Sequence, residues 1–415
     1  MNKVLALVLA AGCVAGSYAT DARVDVMGRH DAFFRDEISV FRNPADMSLY
    51  PNMLYGSYGW VDKEKNQIYV SQRGNLTLSD PFFGAMFSHK LGEGDNAPML
   101  SIGAFVNRRD RLVQSLLEAS GEVRGAYIGG TQELKGYNLK DPVGKLDLMF
   151  GYDLGNGIAL GFGLYGAHQK VQENDDIMNQ SGVYKITAGI NWNLDQGLDF
   201  EASFNGGSMV GRYRTTDKTT ENYDPAGSYI KKVCDGDYFY RGDVRFFSAV
   251  PSINGAFVPQ VSMEHMKLNK SEIIDVTGGI GLNMNIDRGF FWAGLQGLYT
   301  QMDKDGSADH ESIGGRISFG IERNIVWDWF LIRVGGEKEF RYVNDDKNKS
   351  SKWVEYNKEN FDDEDGLVGL GFGINIDNRL RIDFVSTNDV AYTFTNLISG
   401  PQLSLFRKIS ATYRF

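Results

Sequence analysis

The chain is poor in cysteine, in long apolar runs, in clustered histidine and in positive charge. Cys13 and Cys234 are its two cysteines. Cys13 falls in the leader described below, so the processed chain keeps one thiol and forms no internal disulfide. Cys234 alone reads as an incidental loop residue. No stretch approaches the ~18 consecutive apolar residues that a membrane helix needs, because glycine and charged residues interrupt every run. The histidines His30, His89, His168, His265 and His310 are far apart and show no metal-ligand spacing. Gly-x-Ser-x-Gly, Cys-His and phosphate-loop motifs are absent as well. The chain therefore reads as a non-enzyme without cofactor or metal; a scattered Ser-His site on an outer wall is the arrangement left open. Acidic residues outnumber basic ones, 53 to 43, which argues against nucleic acid as a partner.

The leader gives the compartment. Lys3 is a short positive start, Val4 to Ala11 an apolar run, and Ser17-Tyr18-Ala19 a small-x-small cleavage site. Residues 1–19 read as a secretory signal peptide, too short to span a bilayer, with cleavage after Ala19. The competing reading makes Cys13 a lipid acceptor within Leu9-Ala10-Ala11-Gly12-Cys13, where Ala10 fits poorly. An exported chain without membrane helices is periplasmic, secreted or a barrel.

The other terminus favours the barrel. Ile409, Ala411, Tyr413 and Phe415 alternate with Ser410, Thr412 and Arg414, and a period of two means a strand. A strand ending on a terminal aromatic resembles the sorting signal of bacterial outer-membrane barrels. It implies that location, a lipid environment and recognition by the barrel-assembly machinery.

The same period recurs along the chain. Tyr184, Ile186, Ala188, Ile190 and Trp192 oppose Lys185, Thr187, Gly189 and Asn191; Val368, Leu370, Phe372 and Ile374 oppose Gly369, Gly371 and Gly373. Such runs of about nine to thirteen residues match a tilted strand crossing a bilayer, whereas soluble sandwich strands are nearer five or six. In lipid only a closed barrel satisfies every backbone donor and acceptor. Short turns are expected at Gly155-Asn156, Asp195-Gln196-Gly197, Asp287-Arg288, Arg323-Asn324 and Asp377-Asn378, and longer loops at 169–181, 206–235, 302–310, 339–364 and 388–402. Short turns lie in the periplasm and long loops outside. Thirteen strands can be placed from Lys145 onward. In the N-terminal third Phe82–Lys90 and Pro98–Asn107 are good strands, Asn52–Val61 and Gln67–Gln72 weaker, and Gly129–Leu139 ambiguous. Two periplasmic termini require an even number, so the expected fold is an all-β, transmembrane antiparallel barrel of about 16 strands, within 14–18. Leu112, Leu116 and Leu117 within 108–128 suggest a short amphipathic helix, either in an outer loop or folded into the lumen.

Residues Ala22 to Asn52 alternate poorly. They carry Ala22-Arg23, Met27-Gly28, Ala32-Phe33, Asp36-Glu37-x-Ser39 and Asn43-Pro44-Ala45 followed by Met47. This segment resembles the N-terminal hatch of the FadL-type long-chain fatty-acid transporter superfamily, which includes PorV-like barrels. The resemblance covers about thirty residues and departs from the family at Arg29-His30-Asp31, where members carry a glycine-rich stretch. It implies a hatch over 20–51, a barrel over 52–415, and a gate built from Met27, Gly28, Asp36, Asn43, Pro44 and Ala45.

With the apolar faces toward lipid, Asp199, Glu201, Arg241, Arg245, Asp275, Arg316, Arg333, Arg381 and Asp383 line the lumen. Charges of mixed sign set selectivity in water-filled pores, or pair across strands and stiffen the wall. Phe239 and Phe247, or Phe33, Phe34 and Phe41 on the hatch, could line an apolar pocket or simply pack it. Asp362-Asp363-Glu364-Asp365-Gly366, or Asp303, Asp305 and Asp309, could offer oxygens to Ca²⁺ but match no calcium-loop spacing. The expected function is a channel for passive uptake of small solutes, hydrophobic ones included. Two alternatives stay open: a general diffusion porin with a polar lumen, and a non-transporting surface scaffold or adhesin using loop aromatics such as Tyr213, Tyr223, Tyr229, Trp353 and Tyr356.

Overall fold

A computed structural model describes residues 21–59, 81–119, 139–215, 229–355, 368–386 and 406–415, apart from 29, 95, 174–175, 195–196, 269–270, 305–306, 326 and 346–349. The leader, the candidate strands at 67–72 and 129–138, the acidic stretch 362–366, the loop 388–402, and Tyr223 and Tyr356 lie outside the described residues.

The strands are β1 (Met53–Gly59), β2 (Phe82–Lys90), β3 (Met99–Val106), β4 (Gly144–Asp153), β5 (Ile158–Glu173), β6 (Asp176–Leu194), β7 (Leu198–Thr215), β8 (Tyr229–Val250) and β9 (Gly255–Leu268). They continue as β10 (Ser271–Ile286), β11 (Gly289–Lys304), β12 (Ser307–Asn324), β13 (Phe330–Asp345), β14 (Ser350–Glu355), β15 (Val368–Ile376), β16 (Leu380–Ser386) and β17 (Phe406–Arg414). Neighbours in sequence pair antiparallel. β14 and β15 share one position beside β13, on Phe340–Asp345 and Phe330–Gly336 respectively. The ring closes where β1 meets β17, Met53 opposite Arg414 and Gly59 opposite Lys408. The result is a closed, 16-strand antiparallel barrel of the outer-membrane type.

Alternation sorts the side chains. Phe150, Phe162, Ile186, Phe204, Val261, Leu295 and Ile317 stand exposed on the outer wall, while Asp147, Lys185, Glu201, Arg245 and Glu322 are buried inside. A barrel in lipid needs this arrangement, because each unsatisfied backbone group in hydrocarbon costs several kcal/mol.

The strands are longer than their apolar alternation. β8 has 22 residues, roughly 70 Å at ~3.3 Å per residue, against an apolar band of ~25 Å. The polar stretches 169–181 and 302–310, expected as loops, are therefore mostly strand: β5 runs to Glu173 and β6 resumes at Asp176, and β11 runs to Lys304 with β12 resuming at Ser307. Within 206–235, β7 continues to Thr215 and β8 resumes at Tyr229; within 339–364, β13 reaches Asp345 and β14 follows. The hydrogen-bond ladder does not require apolar side chains. Beyond the bilayer the outer face turns polar, while inner residues such as Met209, Tyr213 and Met302 join an apolar cluster, so the lipid-facing alternation ends while the strand goes on.

Two turns differ from expectation. Arg323 and Asn324 remain in β12, opposite Gly289-side β11 and Leu331–Ile332 of β13. The reversal falls at 325–329 instead, where Trp327 and Trp329 stack at 5.3 Å. A further turn, Pro251–Ile253 capped by left-handed Asn254 (φ 51°), joins β8 to β9; the Asn254-Gly255 pair is the sequence signal that marks it. The helix Arg111–Ala119 turns into the lumen. Its Leu112, Leu116 and Leu117 are buried with Val183 of β6 and Met209 of β7.

Candidate functional site

Residues 21–50 fill the lower lumen. A helix, Asp21–Val26, is followed by two 3₁₀ turns, Glu37–Phe41 and Pro44–Leu49. The first turn starts at a capping box: Asp36 Oδ1 accepts from Ile38 N at 3.4 Å, and Asp36 N donates to Ser39 Oγ at 3.1 Å. Asn43 caps the second, accepting from Ala45 N at 3.2 Å, with Pro44 at its first position where a missing N–H costs nothing.

Glycines on the inner face make room for this segment. A methyl group on Gly161 would collide with Ala45 N, and one on Gly189 with Asn43 Oδ1. Gly281 and Gly294 leave the space that the Phe33 ring fills, and Gly335 the space for Val26 and Met27. Trp292 of β11 is fully buried against the hatch, 5.1 Å from the His30 ring and 5.4 Å from Phe34. Gly28 takes a positive φ of 82° beside it.

Charge pairs hold the rest. Arg23 donates to Glu322 at 2.8 and 2.9 Å and reaches Asp36 at 3.3 Å. Glu322 also receives Arg333 at 2.9 Å and Arg381 at 3.2 Å, and Asp383 lies 2.7 Å from Arg333. Asp21 meets Lys408 at 2.8 Å, and Glu37 meets Arg414 at 2.9 Å. Arg35 bridges Asp199, at 2.9 Å, and Glu201, which Arg245 also binds. Arg245 donates to the carbonyls of Asp31 and Phe34 at 2.7 and 3.0 Å. Asn191 of β6 receives Asn43 Nδ2 at 2.5 Å and donates to Asp46 at 2.7 Å. Removing one partner of such a buried pair costs about 3–5 kcal/mol.

The structure thus brings five of the six hatch candidates, Met27, Gly28, Asn43, Pro44 and Ala45, against the inner wall, while Asp36 is bonded within the segment to Arg23, Ile38 and Ser39. Of the lumen candidates, Asp199, Glu201, Arg245, Arg333, Arg381 and Asp383 join the hatch network. Arg241 pairs with Asp243 at 2.7 Å, Arg316 with Glu339 at 3.1 Å, and Asp275 accepts from Thr300 at 2.5 Å, higher up the wall. Ile409, Ala411, Tyr413 and Phe415 take the outer face of β17; Phe415 lies 5.5 Å from Phe87. The candidate pocket phenylalanines are packing residues. Phe33 and Phe34 meet Trp292, Phe41 lies 4.9 Å from Phe105, the Arg35 guanidinium sits 4.3 Å from the Phe247 ring, and Phe239 joins the cluster under the lumen helix.

Sequence reasoning missed Trp292, Arg35, Arg42 and Asp46. Trp292 had a signal: it stands at an inner position of β11, in phase with Gln296. Asp46 had none, since its partner Asn191 lies 145 residues away, and the pairing of Arg42 with Asp31 depends on the fold of the intervening turn.

Above the hatch lies a polar chamber of about 100 Å³. Its floor is His30, Asp31, Ala32 and Arg42; Arg111 of the lumen helix and β8 to β13 supply its walls. Burial would raise the Asp31 carboxyl, but Arg42, Arg245 and the Ser39 hydroxyl outweigh it and hold it at about 2. Asp46 goes the other way. Burial, with Glu201 adding to it, pushes its carboxyl up to about 7, and its Oδ2 has no hydrogen-bond partner among the described residues.

No family model matches the chain, and no curated protein does. Among solved structures it is similar to the TodX monoaromatic hydrocarbon channel deltaS2 mutant, at 9% identity over 97% of this chain and 99% of that one, with a TM-score of 0.37. It is similar to the CymD monoaromatic hydrocarbon channel at 10% identity, over 96% and 99%, with a TM-score of 0.37. BamA from Haemophilus ducreyi lacking POTRA domains 1–3 is similar at 7% identity, over 88% and 70%, also at 0.37.

Proposed function

We propose that the chain is a passive solute channel of the bacterial outer membrane, held shut by its N-terminal hatch. The observation that carries this is the filling of the lower lumen by residues 21–50 through pairs such as Arg23–Glu322 and Glu37–Arg414. Buried ion pairs fix geometry more than they stabilise it, because water solvates the separated charges almost as well. The hatch also buries Phe33, Phe34, Phe41 and Met47 in one cluster with Phe105, Met149 and Trp292 of the wall, so its release exposes apolar surface, and a solute with higher affinity for the open state must offset that cost to shift the balance. The filled lumen disfavours a general diffusion porin. A surface scaffold would also tolerate a plug, and differs in having a plug that never moves. The motifs of residues 22–47 resemble the hatch of the FadL-type superfamily, and Ile409 to Phe415 would carry the signal for barrel assembly. The polar chamber favours small solutes with a polar end over plain hydrocarbons.

A reversible lock tests the gate. Met47 Cβ lies 3.2 Å from the position of a Cβ on Gly151, a few tenths of an ångström short of the usual ~3.5–4.5 Å disulfide spacing, which a small shift of the turn supplies. In Met47→Cys/Gly151→Cys/Cys234→Ala, solute entry into proteoliposomes should stop on oxidation and return on reduction. Entry unaffected by the bond rules out movement of the Asn43–Met47 turn as the gate.

A further inference from the structure

We infer that the outer wall of the barrel carries a furrow that binds one anionic phospholipid, a site outside the lumen and independent of the hatch. Three glycines form it. Gly278 of β10, Gly297 of β11 and Gly315 of β12 stand on the lipid-facing side, in phase with the exposed Ile280, Leu295 and Ile317. A methyl group on any of them would meet no atom closer than 3.7 Å. They lie side by side in the ladder, Gly278 opposite Gly297 and Gly297 opposite Gly315. Val261 and Val244 continue the row on one side, and Phe340 ends it on the other.

Large side chains bank the furrow. Ile280, Leu295 and Ile317 stand on one side of it, and Val276, Tyr299 and Ile313 on the other. Each bank is two residues from the glycines, roughly 7 Å along the strand. From β8 to β13 the row crosses five strand spacings, roughly 24 Å. Toward β8 it joins a cavity of about 510 Å³ lined by Val244, Val261, Ile280, Leu295 and Gly297. A long, narrow, apolar furrow in a wall bathed by lipid fits an acyl chain. A second barrel would meet it with a convex wall and leave it empty.

The furrow is tilted, which places the head of the lipid. Val244 is six residues from the short-turn end of β8 at Val250, and Phe340 is ten from that of β13 at Phe330. The row therefore climbs toward the long-loop side, the outer leaflet in the orientation expected from the turns. At its upper end stands Lys338, on the outer face opposite Ile317. A lysine is costly on a lipid-facing wall, and its flexible stem carries the amine toward the polar headgroups. Lys338 Nζ lies 5.5 Å from the ring centroid of Phe340, the next outer residue toward that leaflet. A tail along the glycines and a negative head at Lys338 describe one anionic phospholipid.

The test is native mass spectrometry of the refolded mature chain, released from micelles containing dioleoylphosphatidylglycerol or dioleoylphosphatidylcholine. It reads bound lipid without flux or hatch movement. One phosphatidylglycerol should be retained about tenfold more tightly than phosphatidylcholine, the usual worth of a charge-assisted contact. Lys338→Gln should bring the two lipids level. Gly297→Leu and Gly315→Leu, which fill the furrow separately and guard against misfolding of either one, should each abolish retention of both lipids. Gly166→Leu fills open space elsewhere on the outer wall and should retain phosphatidylglycerol as the wild type does. Equal retention of the two lipids by the wild type, wild-type retention in both folded furrow variants, or equal loss in Gly166→Leu would overturn the site. So would a lipid-free dimer that Gly297→Leu dissociates, since it would put a second copy on this face.

Discussion

At the scale of single residues, the hatch is held by groups that need an opposite partner or a missing side chain. Asp46 is the most informative. Its folded-state carboxyl stands near 7, above an unfolded value of about 3.9. A raised carboxyl contributes its stability fully below the unfolded value and loses it as pH rises through about 7. The Asn43–Leu49 turn should therefore sit more loosely in alkaline solution. Protease cleavage of the hatch should accelerate as pH rises from about 4 to about 7 and level off above it in the wild type, and Asp46→Asn should flatten the profile. An identical rise in the variant would remove Asp46 from the account. Asp31 has the opposite sign, and its contribution is lost only as pH falls through about 2. Little of this was legible in the sequence. Gly161 and Gly189 were visible as inner-face residues of alternating runs, but nothing local says that Ala45 and Asn43 press against them. The nine lumen candidates were legible because charge on the polar face of a lipid-facing strand has one place to go.

At the scale of elements, period two located the strands wherever they touch lipid and failed where they leave it. β4 reads cleanly because its exposed Leu146, Leu148 and Phe150 alternate with buried Lys145, Asp147 and Met149. The upper parts of β5 to β8 read as loops in the sequence because polar residues take over the outer face there, although Met209 and Tyr213 stay apolar on the inner one. The expectation of a separate segment before β1 rests on its failure to alternate and on spaced motifs such as Met27-Gly28, Asp36-Glu37-x-Ser39 and Asn43-Pro44-Ala45, not on any contact. The lumen helix Arg111–Ala119 was legible as amphipathic, but its side of the wall was not. It is tied down by Leu112 and Leu116, each about 1% exposed or less, and by Asp110, which binds Lys185 at 2.5 Å. Leu116→Ala should cost the helix about 2–4 kcal/mol of packing. Amide exchange over 111–119 should speed up accordingly while exchange in the hatch stays unchanged. Equal acceleration in both would mean that helix and hatch move as one body.

At the scale of the whole molecule, parity and closure were readable before any coordinate. Two termini on one side demand an even strand number, and a chain without membrane helices must close its sheet to cross lipid. The occupancy of the lumen was not readable, since a barrel of this size holds water or a plug equally well. The central claim concerns that plug. Without residues 20–50 the wall keeps its complete ladder, and the charges left behind, such as Glu322, Arg333 and Arg414, face water instead of the hatch. The most direct measurement is single-channel conductance of the refolded mature chain in a planar bilayer, with and without residues 20–50. A closed full-length barrel and a steadily conducting truncated one is the result predicted here. Equal, large conductance in both, or silence in both, would contradict the hatch as the gate.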